Sequence, residues 1–196
     1  VRKTPIESID ATGITTSDAH YDLDAIVFAT GFDAMTGALG KIDIVGRKAE
    51  RLRDDWANGP RSYLGLGDDG FPNLFVITGP GSPAVLANMV LGAEAHVDWI
   101  SDCIGYLDEH GYDGIEATAE AVDNWLAECA QRADASLFTK ANSWYLGANV
   151  PGKPRVFMPY IGGFPVYVQK CNEVMSGGFE GFVLEGAPAS NTPPQV

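Results

Sequence analysis

Cysteine, basic residues and long apolar runs are all scarce in this sequence of 196 residues. Its three cysteines, Cys103, Cys129 and Cys171, are widely spaced and form no CxxC pair, which argues against a disulfide framework or a cysteine zinc site. The 13 Lys and Arg residues against 26 Asp and Glu argue against nucleic-acid and anionic-membrane partners. No apolar run of about 18 residues and no signal-like segment is present. We therefore expect a cytoplasmic location, a reducing compartment and no membrane span.

Several motifs that carry chemistry are also missing. There is no P-loop and no two-histidine zinc motif. Ser82 and Ser143 have no His and Asp arranged around them in the order of a catalytic triad. His20, His96 and His110 lack a partner at helical spacing, so we interpret each as a surface or capped histidine. The sequence therefore predicts no catalytic residue and no metal site.

A continuous apolar run at residues 25–29 is the most informative local pattern. Such a run is typical of a strand covered on both faces, as in a parallel sheet, and it indicates an α/β fold. It stops at Thr30 and Gly31, and a strand that ends on glycine lets the backbone approach a flat or phosphorylated ligand. A plain turn explains the same pattern, so both interpretations stay open.

Shorter strands are predicted around this run, because β-branched and aromatic residues alternate with turn residues. Residues 6–9 and 14–16 form a predicted hairpin, residues 18–22 are a polar turn, and residues 47–56 could form one or two helical turns. Further strand candidates lie at 41–45, 63–66, 73–78 and 179–184.

A long amphipathic helix is predicted from the apolar residues between Leu86 and Leu107, which recur at alternating steps of four and three until about Gly111. Its start is open. Ser82 can cap a helix that begins at Pro83, or Asn88 can cap one that begins at Met89.

A second helix is predicted over residues 118–138, with Trp125 and Cys129 on its apolar face as core residues. Residues 164–175 form a third predicted helix. The segment 186–196 is rich in proline and small polar residues, so we expect a disordered tail.

Residues 139–162 form a long loop with several aromatic residues among glycines and prolines. A loop of this length is usually functional or disordered, and its aromatic content argues against disorder. We interpret it as a lid over a ligand.

Four separated stretches together carry a resemblance to a known family. They are DAIVFATGFDA at 24–34, GPGSP at 79–83 followed by Asn88 and Met89, SWYLGANVPGKPR at 143–155, and YIGGF at 160–164. In order, spacing and identity these stretches resemble the C-terminal part of Baeyer–Villiger monooxygenases. The resemblance implies that residues 1–185 are part of an FAD/NAD(P)-binding Rossmann-like fold with a helical segment, including helices 88–110 and 118–138 and the lid loop.

Members of that family use FAD, NADPH and O2 to convert ketones to esters or lactones. The resemblance implies that Thr30 and Gly31 contact FAD. It also implies that the backbone N–H of Met89 meets the pyrimidine edge of the flavin, which favours the helix start with Asn88 as the cap. Trp144 would belong to a mobile lid and reach the nicotinamide cofactor, whereas ordinary packing is the alternative role.

The same resemblance assigns a substrate pocket to the segment before the long helix. Pro83, Ala84, Val85 and Leu86 would line it, and their apolar character suits a hydrophobic ketone.

Other family motifs are not found in this chain. The family's N-terminal GxGxxG fingerprint, its FxGxxxHxxxW signature, its second dinucleotide fingerprint and its active-site arginine would all precede Val1. We therefore expect the missing N-terminal part of the same protein as a partner, and an isolated chain that is inactive. The alternatives are a non-catalytic remnant or binding module, and a related flavin monooxygenase that acts on nitrogen or sulfur.

Overall fold

A computed structural model describes residues 4–29 and 31–186. The chain divides into two units, Val1–Gly31 and Phe32–Val196. Thr30 and nearly all of the expected disordered tail lie outside the described residues.

The described residues of the first unit form a three-stranded antiparallel sheet in the order β1, β2, β3. Its strands are β1 (Ile6–Ile9), β2 (Gly13–Thr16) and β3 (His20–Asp22). The predicted hairpin is confirmed, with Ile9 opposite Ile14. The polar turn expected at residues 18–22 is wrong, because His20 lies on the third strand and pairs with Thr15 of the second.

The apolar run at residues 25–29 does not form the predicted buried strand. Its side chains face solvent, with Val27 87% and Phe28 70% exposed. An apolar run becomes a strand only when neighbouring strands accept its backbone hydrogen bonds, and the described residues supply no such neighbour. Both sheets in the described residues are antiparallel rather than parallel.

Within residues 32–186, the second unit contains four α-helices and a two-stranded antiparallel sheet. The helices are α1 (Leu52–Asp55), α2 (Met89–His110), α3 (Ala119–Asp134) and α4 (Phe164–Ser176), and the strands are β4 (Gly114–Ala117) and β5 (Phe182–Glu185). Single turns of 3₁₀ helix lie at Leu39–Lys41, Arg47–Ala49, Trp56–Asn58, Ala84–Leu86, Phe138–Lys140 and Trp144–Leu146.

The three long helices confirm the periodicity argument, and their caps explain their bounds. The side chain of Asn88 accepts hydrogen bonds from Val90 and Leu91, so α2 begins at Met89 rather than at Pro83. Gly111 ends α2 in the left-handed conformation, as expected for a C-terminal glycine. The helix α3 stops short of the predicted residue 138, which lies in a separate 3₁₀ turn.

Three of the predicted short strands are absent from the described structure. Residues 41–45, 63–66 and 73–78 run through turns, with isolated bridges at Val45 and Tyr63. The physical reason in the last two segments is a left-handed backbone at single residues, which breaks the extended pleat. These residues are Leu64 (φ +59°), Asn73 (φ +59°) and Thr78 (φ +52°).

The last predicted strand begins later than expected. Phe179 also has a positive φ, and β5 begins at Phe182. It pairs with β4, a strand that the sequence analysis did not predict.

An aromatic core holds the second unit together. Trp125 stacks on Tyr160 with 4.9 Å between ring centroids, and Trp99 meets Phe179 edge-on at 5.5 Å. We call these four residues, together with Tyr167, the aromatic core; all five are buried. Aromatic pairs of these geometries stabilise a core beyond the apolar area that they bury.

The three cysteines are buried free thiols, which confirms the core interpretation of Cys103 and Cys129. Burial raises the pKa of Cys103 to about 11 and the pKa values of Cys129 and Cys171 to about 12. Among the helices of the described residues, none combines the length and the apolar character that crossing a membrane requires.

Candidate functional site

The turn at residues 78–83, which we call the glycine–proline turn, is fixed by hydrogen bonds from three directions. Its backbone groups meet side chains of α2 and α3 and the backbone of the loop 139–162. The bonds are Thr78 N–H to His96 Nδ1 (2.9 Å), Trp125 Nε1–H to Gly81 O (3.0 Å), Gly81 N–H to Met158 O (2.7 Å) and Tyr160 N–H to Ser82 O (2.8 Å). Because buried backbone groups are costly to leave unpaired, these bonds hold the turn in one conformation.

Two serines complete the pairing within this turn. Ser62 Oγ donates to Pro80 O at 2.6 Å, and Ser82 Oγ donates to Gly79 O at 2.7 Å. At the centre, Gly81 has φ +87°, and a Cβ there would lie 2.7 Å from Ser62 Oγ and 3.0 Å from Trp125 Nε1. Glycine is therefore required by both conformation and space.

The predicted substrate segment follows this turn directly. Pro83 precedes the single 3₁₀ turn Ala84–Leu86, whose Ala84 is buried and has a φ of +44°. A positive φ at a residue other than glycine is strained and often marks a ligand site. Leu86 is half-buried, whereas the side chain of Val85 lies outside the described residues.

The start of α2 presents polar backbone to the same region. Asn88 Oδ1 accepts from Val90 N–H at 3.0 Å and Leu91 N–H at 3.2 Å. The N–H of Met89 has no acceptor within the helix, because the first turn of any α-helix lacks one. It therefore lies at the positive end of the helix dipole, where an anionic ring edge is favoured.

Three of the predicted site residues line one cavity of about 400 Å³. They are Ala84, Met89 and Trp144, and the walls between them are made of residues 75–79 and of apolar side chains near residue 35. The cavity is mostly apolar and combines this lining with the helix start, a combination that suits a flat organic ligand. Sequence reasoning from separate motifs therefore names residues that the fold brings together.

Two further predicted site residues, Pro83 and Leu86, lie in the neighbouring chain segment but not on the surface of this cavity. Gly31 belongs to the first unit, is exposed and has φ +76°, and a Cβ there would meet nothing within 4 Å. Its predicted contact with FAD stays a prediction.

Trp144 opens a 3₁₀ turn in the predicted lid loop. Ser143 Oγ accepts from Tyr145 N–H at 3.2 Å, and Gly147 closes the turn with φ +71°. The indole is half-buried, with its ring centroid 4.3 Å from that of Tyr145. Its Nε1–H has no acceptor in the part of the chain that the structure describes, in contrast to the three other tryptophans, Trp56, Trp99 and Trp125.

Polar contacts anchor the loop 139–162 to residues 32–36. Lys153 Nζ lies 2.6 Å from both Asp33 Oδ1 and Thr36 Oγ1, and Asn149 Nδ2 donates to Phe32 O at 2.9 Å. Burial raises the pKa of Asp33, but the hydrogen bond and charge of Lys153 outweigh it and hold the pKa below its ordinary value. The loop is thus tied down rather than free.

His96 does not have the surface or capped position that the sequence predicts. It is 2% exposed rather than on the surface, and its Nε2 lies 2.7 Å from Tyr167 Oη. Burial, opposed by the Val76 carbonyl, lowers the pKa of His96 to about 4. Its spacing from Trp99, Cys103 and Leu107, which are buried on the same face of α2, is the signal that could have revealed its burial.

The two other histidines agree with the surface or capped interpretation. His110 is exposed and its Nδ1 lies 2.8 Å from Tyr106 O, while His20 is exposed and lies 3.3 Å from the carboxylate of Asp22. Across residues 4–29 and 31–186, no group of three or more potential metal ligands converges. The cavity therefore offers shape and backbone polarity rather than acid–base residues.

Comparisons with known proteins extend this picture, although no protein-family model matches the chain. The chain is 44% identical over 186 residues to acetone monooxygenase (methyl acetate-forming) of Gordonia sp. strain TY-5, which covers 94% of this chain and 35% of the relative. It is 38% identical to phenazine N-monooxygenase PhzNO1 of Lysobacter antibioticus, over 95% of this chain and 34% of the relative. It is 39% identical to a Baeyer–Villiger monooxygenase of Pseudooceanicola batsensis, over 94% of this chain and 34% of the relative. The chain spans about a third of the length of these curated relatives.

Solved structures agree with the sequence relatives. An oxidised steroid monooxygenase bound to NADP superposes with a TM-score of 0.86 at 60% identity, over 95% of this chain and 35% of that one. The predicted fold class, a mixed α/β portion of an FAD/NAD(P)-binding Rossmann-like fold with a helical segment, is confirmed. By sequence and by structure, the chain belongs to the Baeyer–Villiger monooxygenase family.

Proposed function

We propose that this chain forms the C-terminal part of an FAD- and NADPH-dependent Baeyer–Villiger monooxygenase. The complete enzyme inserts one oxygen atom from O2 into a hydrophobic ketone and gives an ester or a lactone. The observation that carries the proposal is the convergence of Ala84, Met89 and Trp144 at one apolar cavity. The names of the relatives, an acetone monooxygenase and an NADP-bound steroid monooxygenase among them, support the same reaction class.

The cavity fits one end of FAD rather than the whole cofactor. The backbone N–H of Met89 sits at a helix N-terminus, which suits the pyrimidine edge of a flavin that becomes negatively charged on reduction. Thr30 and Gly31 are the further residues that we assign to FAD. The GLGDDG stretch at 65–70 has the GxGxxG spacing but runs through turns and opens no helix, so the pyrophosphate is assigned to the N-terminal part of the same protein. FAD, when bound, supplies the redox and oxygen chemistry.

Trp144 is the residue that we assign to NADPH. Its indole N–H has no acceptor among the described residues and is therefore available to a ligand, while its ring closes one wall of the cavity. Closing that wall excludes water from the reacting groups, which favours oxygen transfer over release of hydrogen peroxide. The anchoring of the loop by Lys153 and Asp33 supports an ordered, closed position for this tryptophan.

The ketone is assigned to the segment formed by Pro83, Ala84, Val85 and Leu86. All four side chains are apolar, and the strained backbone at Ala84 fixes where the segment lies. An apolar lining discriminates weakly by single methylene groups, so we expect a range of hydrophobic ketones. A cytoplasmic location is part of the proposal and is supported by three buried free thiols.

A second candidate reaction is oxygenation of nitrogen in an aromatic heterocycle. The relative named phenazine N-monooxygenase, which is 38% identical to this chain, favours it. The residues of the cavity are compatible with both reactions, because neither needs an acid or base from this chain.

The experiment uses the full-length protein with NADPH and ¹⁸O₂, and offers an aliphatic ketone, an aromatic ketone and phenazine in parallel. We expect FAD to copurify with the protein and the ketone to yield an ester that carries one ¹⁸O atom. Labelled N-oxide without labelled ester would replace the first proposal by the second. A protein that holds no FAD and oxidises no NADPH would instead be a non-catalytic binding module.

A further inference from the structure

His96 and Tyr167 form a buried hydrogen-bonded bridge that the proposed reaction does not use. Nδ1 of His96 lies 2.9 Å from the backbone nitrogen of Thr78, and Nε2 lies 2.7 Å from Tyr167 Oη. Tyr167 Oη in turn bonds to the carbonyl of Leu64. The bridge therefore connects two loops through α2 and α4.

We assign the direction of each hydrogen bond in this bridge from its partners. The carbonyl of Leu64 can only accept, so Tyr167 donates to it and must accept from His96. His96 Nε2 therefore carries the proton, while Nδ1 accepts from the N–H of Thr78. The imidazole is neutral and has both nitrogens satisfied.

Both ends of the bridge hold a left-handed backbone. Thr78 has φ +52° and Leu64 has φ +59°, and neither is glycine. Such conformations persist only where the surrounding structure holds them in place, most of all for a β-branched residue such as threonine. His96 supplies that restraint at Thr78, and Tyr167 supplies it at Leu64.

Thr78 belongs to the cavity wall that faces the start of α2, because both Thr78 and Met89 line the cavity. His96 is two helical turns from Met89, on the same face of α2. Its hydrogen bond to Thr78 therefore ties the distance between the Thr78 wall and the start of α2 to the position of this helix. Thr78 Cγ2 is also near α2, since it lies 3.7 Å from the place that a Cβ at Gly92 would take.

We propose that His96 is a positioning residue, which sets the width of the cavity between the Thr78 wall and the N-terminus of α2 through its Nδ1, with Tyr167 orienting its ring. The inference rests on the proposed function, since it assigns that cavity to flavin and substrate. It concerns a residue that touches neither ligand.

Two variants of the full-length protein separate the two ends of the bridge. In His96→Asn the side-chain oxygen can reach the place of Nδ1, so the bond to Thr78 is kept and the bond to Tyr167 is lost. In His96→Gln the amide nitrogen can reach the place of Nε2, so the opposite bond is kept. Both variants remove an aromatic ring from the same buried site, and each is therefore the packing control of the other.

We expect hydrogen exchange at the Thr78 amide to be protected in His96→Asn and to accelerate about tenfold in His96→Gln, since one buried hydrogen bond is worth about that factor. In turnover with NADPH and a ketone, the Gln variant should raise the KM for the ketone and the share of peroxide, whereas the Asn variant stays near wild type. Similar melting temperatures for the two variants would show that the difference is local.

Equal exchange at Thr78 in both variants, or equal KM and peroxide yield, would overturn the inference and leave His96 as a packing residue. Failure of the proposed function is recognised separately, because the wild-type protein would then oxygenate no ketone. In that case the exchange measurement still decides whether His96 holds the Thr78 wall. Tyr167→Phe keeps the Thr78 bond, so a loss of Thr78 protection equal to that of His96→Gln would also count against the assigned order of the bridge.

Discussion

Trp125 and Trp144 show how differently two regions of this molecule use the same side chain. Trp125 lies in the aromatic core, is 4% exposed and donates its indole N–H to Gly81 O. Trp144 lies on the cavity rim, is half-buried and has no acceptor for its N–H among the described residues. The first tryptophan is fully satisfied by the protein, whereas the second keeps a donor and an apolar surface available.

The difference teaches where stability and ligand binding are separated. The aromatic core and the glycine–proline turn share hydrogen bonds, so the packing of the core also holds the turn in place. The rim is held by polar contacts of Lys153 and Asn149 with residues 32–36, which leave its aromatic side chain uncommitted. We expect substitutions in the first region to change unfolding and those in the second to change turnover.

The largest loss of stability is expected for a substitution in the aromatic core. Trp125→Ala removes a buried indole, its stacking on Tyr160 and the donor to Gly81 O, and should destabilise the full-length protein by about 3–5 kcal/mol. The midpoint of urea unfolding, followed by tryptophan fluorescence and by release of bound flavin, measures it. Trp125→Phe keeps most of the apolar contact and loses the donor, so it should fall between wild type and Ala. A wild-type midpoint for Trp125→Ala would contradict the structural role of the core.

A smaller effect is expected where the core meets the turn. Gly81→Ala combines a left-handed backbone with a Cβ 2.7 Å from Ser62 Oγ and 3.0 Å from Trp125 Nε1, and should cost about 2–3 kcal/mol. Gly152→Ala is the matched control on the loop, since its φ of +79° is similar and a Cβ there meets nothing within 4 Å. The control should cost only about 1 kcal/mol, the strain of the backbone alone. Equal losses for the two variants in urea unfolding would show that the turn is not tightly packed.

Local patterns predicted the helices of this protein well, because a helix makes its hydrogen bonds within itself. The apolar spacing located α2 and α3, and Asn88 and Gly111 act as the caps that their residue types indicate. Residues 25–29 show the opposite case. Their apolar run is a strand only when partners pair with it, and pairing is a property of other segments rather than of the run.

Some residues of the candidate cavity could be named from the sequence because, as for the helices, their signals are local. Met89 and Trp144 stand in motifs that can be recognised in the chain, and the fold brings both to one cavity. The buried bridge of His96 was missed, because its partners at Thr78 and Tyr167 are 18 and 71 residues away. The left-handed backbone of Thr78 has no signature in its residue type, since threonine rarely adopts it.

The smallest expected effect on stability belongs to Trp144, and it sharpens the comparison because its effect on function should be large. Trp144→Ala in the full-length protein should change the free energy of unfolding by less than about 1 kcal/mol, since the side chain is half-buried and its N–H is not used by the described residues. In turnover with NADPH and a ketone, the loss of the cavity wall should raise the fraction of oxygen released as peroxide. An oxygen electrode measures that fraction, because catalase returns half of the oxygen consumed by uncoupled turnover.

Trp144→Phe is the control, because it keeps an aromatic wall and removes the N–H donor. Normal coupling with a raised KM for NADPH would assign the N–H to the cofactor. Uncoupling equal to that of Trp144→Ala would show that the donor also contributes to shielding. If Trp144→Ala instead lowered stability as much as Trp125→Ala and left coupling unchanged, Trp144 would be a packing residue and the distinction between core and rim would fail.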